Sequence, residues 1–281
     1  MARGDGWGVY DVICGAGPRD PVFEEQHQDV SIAIVLGGTF QYRGSGVNVA
    51  GGEMMTPGSL LLGNTGQYFE CGHEHATGDH CLSFRYVPEY FERIAADTGA
   101  RGGRIGFRAL KLPPLRVLSP LIARACVGLR QSAGFSWEEL SLELAVLAVQ
   151  VENGTTRESS AAPPSSVARV TRSVRAIERD LSNGMGLRSL AQEAGLSPYH
   201  FLRTFERLTG VTPHQYVRRA RLRVAARRLA VERVRVLDIA FDCGFGDVSN
   251  FNKAFRSEFG MSPQLWSTRN PQAKKIAEVS C

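Results

Sequence analysis

Two groups of residues in this 281-residue chain have types and spacings suited to chemistry. The first is Cys71-Gly72-His73-Glu74-His75, followed by His80-Cys81. On an extended strand alternate side chains share a face, so Cys71, His73 and His75 are expected to project together, on the side that carries Phe69. With Cys81 opening a return strand after Gly78-Asp79, the set offers four donors to a tetrahedral ion, zinc or another transition metal. His27 and Glu24 or Glu25 are further candidates from a distant part of the chain. The spacing matches no standard zinc-finger pattern, so three readings stay open: a metal site, a redox-responsive pair of thiols, and a structural or small-molecule pocket. Cys14 is too isolated to assign.

The second group lies in the last hundred residues, where one spacing pattern occurs twice. Phe201, Phe205, Gly210 and Pro213 recur as Phe251, Phe255, Gly260 and Pro263, an offset of 50 residues. Leu190-Ala191 with Gly195 recurs as Ile239-Ala240 with Gly244, an offset of 49, which predicts one extra residue in the second turn. Such regularity implies two copies of one supersecondary unit. In the first copy Phe201, Phe205 and Leu208 fall at i, i+4 and i+7 and must face a core, leaving Tyr199, Leu202, Arg203, Glu206 and Arg207 outward. In the second, Phe251, Phe255 and Phe259 turn inward, and Ser249, Asn250, Lys253 and Arg256 lie on or near the outward face. A helix with Tyr and Arg at its N-terminal end suits the major groove, because that end meets the bases first. The alternative is an ordinary solvated face.

The elements that must position these residues follow from caps and periodicity. A helix over 167–181 ends at Ser182-Asn183-Gly184, and a short helix over 187–194 is closed by Gly195. Ser197 caps a third helix with Pro198 at its first position. Two short helices joined by a glycine turn form a helix-turn-helix. Thr212-Pro213 opens a long helix to about residue 230, burying Leu222, Ala225 and Leu229. Its Arg218, Arg219, Arg221, Arg223, Arg227 and Arg228 are shared between structural pairing and phosphates. The unit then repeats, and Ser262-Pro263 caps a last short helix near Trp266.

The first half reads as short strands over 31–36, 39–42, 47–49, 59–62, 67–75 and 81–86, separated by glycine-rich turns, which predicts a small β-sandwich or barrel. Helical periodicity follows over 115–130. Ser136 with Glu139 forms a capping box before a stripe of Leu140, Leu144, Leu147 and Val151, which faces either the β domain or a dimer seam. Residues 153–166, with Ser-Ser twice and Pro163-Pro164, cannot build a core and read as a linker.

Charge divides the chain in the same place. Residues 1–164 hold 13 Lys+Arg against 18 Asp+Glu, a net of −5, and residues 165–281 hold 20 against 10, a net of +10. The basic half points to an anionic partner and the acidic half does not. Six scattered cysteines do not make a disulfide framework, which argues for a reducing compartment. No signal-peptide core occurs, nor an apolar run of the ~18 residues that a membrane span needs, so the expectation is a cytoplasmic protein without membrane contact.

The second half resembles the DNA-binding domain of the AraC/XylS family of bacterial transcription regulators. The resemblance rests on Leu190-Ala191 with Gly195 and Ser197, the Phe201/Phe205/Gly210/Pro213 set, Arg221-Leu222 with Ala225, and Ile239-Ala240 with Gly244-Phe245, Ser249, Phe251, Phe255, Gly260 and Pro263. It covers roughly a third of the chain, and the first half is similar in layout to the cupin-like effector domains of such regulators. The resemblance implies an α+β multidomain chain: a cupin-like sensor over 1–152 with trailing helices, a linker over 153–166, an all-helical double helix-turn-helix domain over 167–270, and a tail over 271–281. It implies no enzymatic activity, double-stranded promoter DNA as partner, an effector of unknown identity, contact with RNA polymerase, a homodimer, and activation rather than repression. Carried over by position, the base readers are Tyr199, Leu202 and Arg203 in the first helix and Val248, Ser249, Asn250 and Lys253 in the second. Arg207, Arg256 and the amides at the helix N-termini are the phosphate contacts. The chain departs from the family at Leu202, where a polar reader is common, at Val248, which cannot hydrogen-bond a base, and at Ser267, where an arginine is common. The competing class is a metal-dependent cupin enzyme, or an alkylation-repair protein fused to a DNA-binding domain; the latter uses four cysteines, whereas only Cys71 and Cys81 lie close together here.

Overall fold

A computed structural model describes residues 1–45, 52–98, 106–130, 135–154, 162–182 and 186–269. Its first half is a two-sheet β unit. One sheet has β1 (Ala2–Gly4), β2 (Trp7–Cys14), β9 (Asp79–Tyr86), β4 (Val30–Gly38), β7 (Leu60–Gly63) and β10 (Lys111–Leu112) side by side in that order. The other orders β3 (Glu24–Gln26), β8 (Tyr68–Gly72), β5 (Phe40–Gly44) and β6 (Glu53–Met55). The unbroken apolar run of β4 has a simple cause, since the strand is buried on both faces. Ala33 and Val35 meet Phe40, Tyr42 and Met55 between the sheets. Ile32 and Ile34 join Leu82, Phe84 and Tyr86 beneath the helices.

Those helices are α1 (Pro88–Asp97), α2 (Ser119–Gly128) and α3 (Trp137–Asn153). Ser136 caps α3 by accepting the Glu139 amide. Leu140, Leu144, Ala145 and Ala148 are buried in the β unit's own core, with Leu147 and Val151 packed beside them, so the apolar stripe is spent inside the chain. The single helix expected over 115–130 is instead a turn of 3₁₀ helix (Arg116–Leu118) followed by α2, because Pro120 fits only the first turn of a helix. The strand expected over 47–49 lies outside the described residues.

The second half is helical: α4 (Pro164–Arg179), α5 (Leu187–Glu193), α6 (Pro198–Thr209), α7 (Pro213–Val231), α8 (Val236–Asp242), α9 (Val248–Phe259) and α10 (Pro263–Arg269). Helix α4 begins three residues before Val167, since Pro164 occupies the first turn, where its missing N–H costs nothing. No helix among the described residues is long and apolar enough to cross a membrane.

The two halves touch through specific groups. Ala123 of α2 sits in one apolar cluster with Leu222, Phe255 and Trp266. Ser119 Oγ donates to Glu258 Oε1 at 2.6 Å, Arg116 Nη1 to Ser257 Oγ at 3.2 Å, and Arg219 Nη1 to the Pro114 carbonyl at 2.8 Å. Lys111 Nζ bridges the carbonyls of Met54 and Leu208 at 2.8 and 2.7 Å. Arg175 of α4 reaches the loop before β9, donating from Nη2 to the carbonyls of Thr77 and Gly78 at 3.0 and 2.7 Å.

Candidate nucleic-acid interface and thiol cluster

Each helix-turn-helix is held by the same skeleton. Phe201 and Phe205 are fully buried, as are Phe251 and Phe255, and each second helix ends on a glycine in the left-handed region, Gly210 at φ 86° and Gly260 at φ 73°. Both turns use a positive-φ glycine, Gly195 and Gly244. At Gly244 the backbone approach is also close: a Cβ there would lie 2.6 Å from the Leu181 carbonyl. Arg221 of α7 fixes the junction, donating from Nε to Leu181 O and from Nη1 to Gly244 O, both at 2.8 Å. The slip from 49 to 50 is visible as Phe245-Gly246 between Gly244 and the Asp247 cap, where the first copy has Leu196 alone between Gly195 and the Ser197 cap.

This skeleton turns the expected readers outward. Tyr199 is 74% exposed, and it lines one open groove with Arg203 and Arg207. Leu202 is half-buried on α6. On α9, Ser249, Asn250, Lys253 and Arg256 are exposed and Val248 is half-buried. The helix N-termini differ. Ser197 Oγ accepts the His200 amide at the start of α6. At α9 the Asp247 carboxylate accepts the amides of Ser249 at 2.9 Å and Asn250 at 3.0 Å, and those donors hold its pKa below the usual carboxylate range. The backbone amides expected to grip a phosphate at α9 are thus already taken by a carboxylate.

The arginines of α7 sort into two classes. Arg219, Arg221, Arg223 and Arg228 are structural, bound to Glu258, Gly244, Glu178 and Asp242 respectively. Arg218 and Arg227 form no ion pair among the described residues.

The cysteine and histidine group is arranged differently from its sequence expectation. Strand β8 stops at Gly72, so His73 and His75 leave the alternation that would have aligned them with Cys71. His73 is buried, with Nε2 2.6 Å from Asp79 Oδ2. Cys81 Sγ donates to Asp79 Oδ1 at 3.3 Å. His75 is half-buried on the turn, and His80 points to Asp11 Oδ1 at 2.5 Å. The donor atoms of Cys14, His73 and Asp79 lie within 4.8 Å of one another. Cys14 and Asp79 are the residues that sequence reasoning missed. They are 65 positions apart and meet only because β2 pairs with β9 in a register that sets Cys14 opposite Asp79.

Burial first, then the Asp79 carboxylate, pushes the Cys71 and Cys81 thiols well up. Oxidants attack exposed thiolates first, so this environment disfavours a redox pair. His27 belongs elsewhere, stacked on Phe69 at 4.1 Å with Nε2 2.7 Å from the Tyr42 hydroxyl. Burial, with Arg85 adding to it, lowers its pKa to about 4. Glu24 and Glu25 are exposed on β3.

A helix-turn-helix domain family matches residues 190–269. The HTH-type transcriptional activator AarP of Providencia stuartii is 34% identical over 90 residues, spanning 32% of this chain and 67% of that one. The HTH-type transcriptional activator RhaR of Escherichia coli (strain K12) is 26% identical over 269 residues, or 91% of this chain and 90% of that one. Among solved structures, ToxT from Vibrio cholerae O395 aligns over 95% of this chain and 99% of its own at 13% identity, with a TM-score of 0.38. Two glycine-jointed helix pairs in tandem, matched in sequence by an activator across two thirds of its length, leave one conclusion: the chain belongs to the AraC/XylS family of DNA-binding transcription regulators.

Proposed function

We propose that the chain acts at promoters by setting α6 and α9 in successive major grooves, with the β half sensing a signal that changes how the two halves dock. The observation that carries this reading is the paired exposure of Tyr199 with Arg203 on α6 and of Asn250 with Lys253 on α9, both on a half of net charge +10. Tyr199, Leu202 and Arg203 read one half of the site, and Val248, Ser249, Asn250 and Lys253 the other. A guanidinium such as Arg203 suits the O6 and N7 acceptors of guanine, and Asn250 suits adenine. Leu202 and Val248 have no hydrogen bond to give and are suited to thymine methyls. Arg207 and Arg256 hold phosphates and set register without reading sequence.

Activation is the direction, as in the names of the activators AarP and RhaR, and it brings RNA polymerase to the same promoter. Sensing requires that an effector bind two dockings of the halves with different affinity. A homodimer on paired sites fits the scheme.

The test is selection of bound sequences from a random double-stranded pool by the full chain. A two-part motif is expected, with one base pair of the first part relaxed by Arg203→Ala. A pool that shows no enrichment overturns sequence-specific reading.

A further inference from the structure

We propose that Cys14, His73 and Asp79 form a transition-metal site whose occupancy is communicated to the DNA-binding half through Arg175. The site is a different ligand set from the Cys71, His73, His75 and Cys81 group that the sequence suggests. Its case is geometric. The β2–β9 register sets Cys14 opposite Asp79 and Val12 opposite Cys81, so Cys14, Asp79 and Cys81 share one face of the sheet. His73 arrives from the end of β8 and is buried, with its ring nitrogen 2.6 Å from the Asp79 carboxylate. One thiol, one imidazole and one carboxylate therefore converge, each atom within 4.8 Å of the others. A tetrahedral zinc holds its donors about 3.3 to 3.8 Å apart, so small side-chain rotations must open the His73–Asp79 pair from 2.6 Å while they draw in the wider separations.

The donor set selects the ion. Thiolate with imidazole favours zinc, cobalt or a similar transition ion over magnesium or calcium. Three protein ligands leave a fourth position for water or an exchangeable group, as in open zinc sites. Cys81 supports the site from outside it: its thiol donates to Asp79 Oδ1 at 3.3 Å and so orients the carboxylate. Binding exchanges the Cys14 thiol proton for the metal, and that proton leaves to solvent.

The link to the other half is direct. Two of the three ligands, His73 and Asp79, bound the loop whose Thr77 and Gly78 carbonyls accept Arg175 of α4. Arg175 Nε also donates to Thr39 Oγ1 at 3.2 Å, so the guanidinium bridges two segments of the β unit. An ion that fixes residues 73–79 fixes the acceptors that α4 grips. This second part rests on the DNA-binding reading, whereas the site itself does not.

The experiment has two arms, each on the full chain. In the first, cobalt(II) is titrated into metal-free protein without DNA. One equivalent should give a thiolate-to-metal charge-transfer band with the visible bands of a four-coordinate ion. Cys14→Ser should abolish the charge-transfer band, and Cys71→Ser and His75→Ala should keep it. Matching apo circular dichroism shows that the Cys14→Ser chain is folded, and His73→Ala should lower cobalt affinity independently. Absence of any band in the wild type, or loss of it with Cys71→Ser rather than Cys14→Ser, overturns the site. In the second arm, zinc should change affinity for the selected DNA about five-fold or more in the wild type. Arg175→Ala should bind cobalt normally and lose that response. A zinc response that survives Arg175→Ala, or zinc binding with no DNA response in the wild type, overturns the coupling while leaving the site intact.

Discussion

The two helix-turn-helix units share a skeleton and differ in nearly everything attached to it. Both bury paired phenylalanines, turn on a positive-φ glycine and end on another. Yet α6 starts from a neutral Ser197 cap and α9 from the anionic Asp247. Helix α6 offers a tyrosine and an arginine at its leading end, and α9 a serine, an asparagine and a lysine. Their far ends differ too. Helix α6 lends a backbone carbonyl, that of Leu208, to Lys111 of the β half, whereas α9 contributes the side chains of Ser257 and Glu258. Backbone geometry is thus duplicated while the chemistry attached to it differs: the first unit touches the β half through a backbone carbonyl, and the second through side chains.

The largest expected effect tests the shared skeleton. Phe205→Ala and Phe255→Ala should each destabilise the chain by about 3 to 5 kcal/mol in chemical denaturation, and markedly unequal losses would break the equivalence of the two cores. Next comes the attachment of α9. Glu258 is 4% exposed, its Oε2 has no hydrogen-bond partner among the described residues, and its Oε1 takes Ser119 and faces Arg219 at 3.5 Å. Glu258→Ala leaves the half-buried Arg219 and the buried Ser119 hydroxyl short of a partner and should cost about 2 to 3 kcal/mol, with Glu258→Gln recovering part of it. Equal stability of wild type and Glu258→Ala would remove the attachment role.

The division of reading is a smaller, sharper test. Arg203→Ala should cost about 1 to 3 kcal/mol on the selected site and relax one base pair, whereas Arg256→Ala should weaken all sequences and reduce the salt slope by about one. Equal loss on specific and random DNA for Arg203→Ala would undo the assignment of reading to α6. The smallest effect is at the caps. Asp247→Ser keeps a capping oxygen and removes a negative charge near the phosphates, so affinity should rise for every sequence with the preferred motif unchanged. A changed motif would mean that Asp247 reads bases.

The helical half was legible because its information is local. Phe spacing, caps and turn glycines all act within a few residues, and even the extra residue before Asp247 was readable as a one-position slip. The β half was legible only in part. Strand β4 declared itself by an apolar run, but β2 did not: Ile13 is 76% exposed and blurs the alternation. The pairing of Cys14 with Asp79 spans the whole unit and has no local signature. The end of β8 at Gly72 was equally silent, and it decides which of the histidines can meet a thiol.

Helix α2 shows what these boundaries mean for rearrangement of the chain. Ala123 completes the apolar cluster around Phe255 and Trp266, although it lies some forty residues before α4 begins. Joining a different β half ahead of α4 would seat a foreign surface against α7 and α9. A chimera that keeps 119–128 matched to 213–269 preserves that seam, so the unit of exchange in this fold is defined by packing rather than by order along the chain.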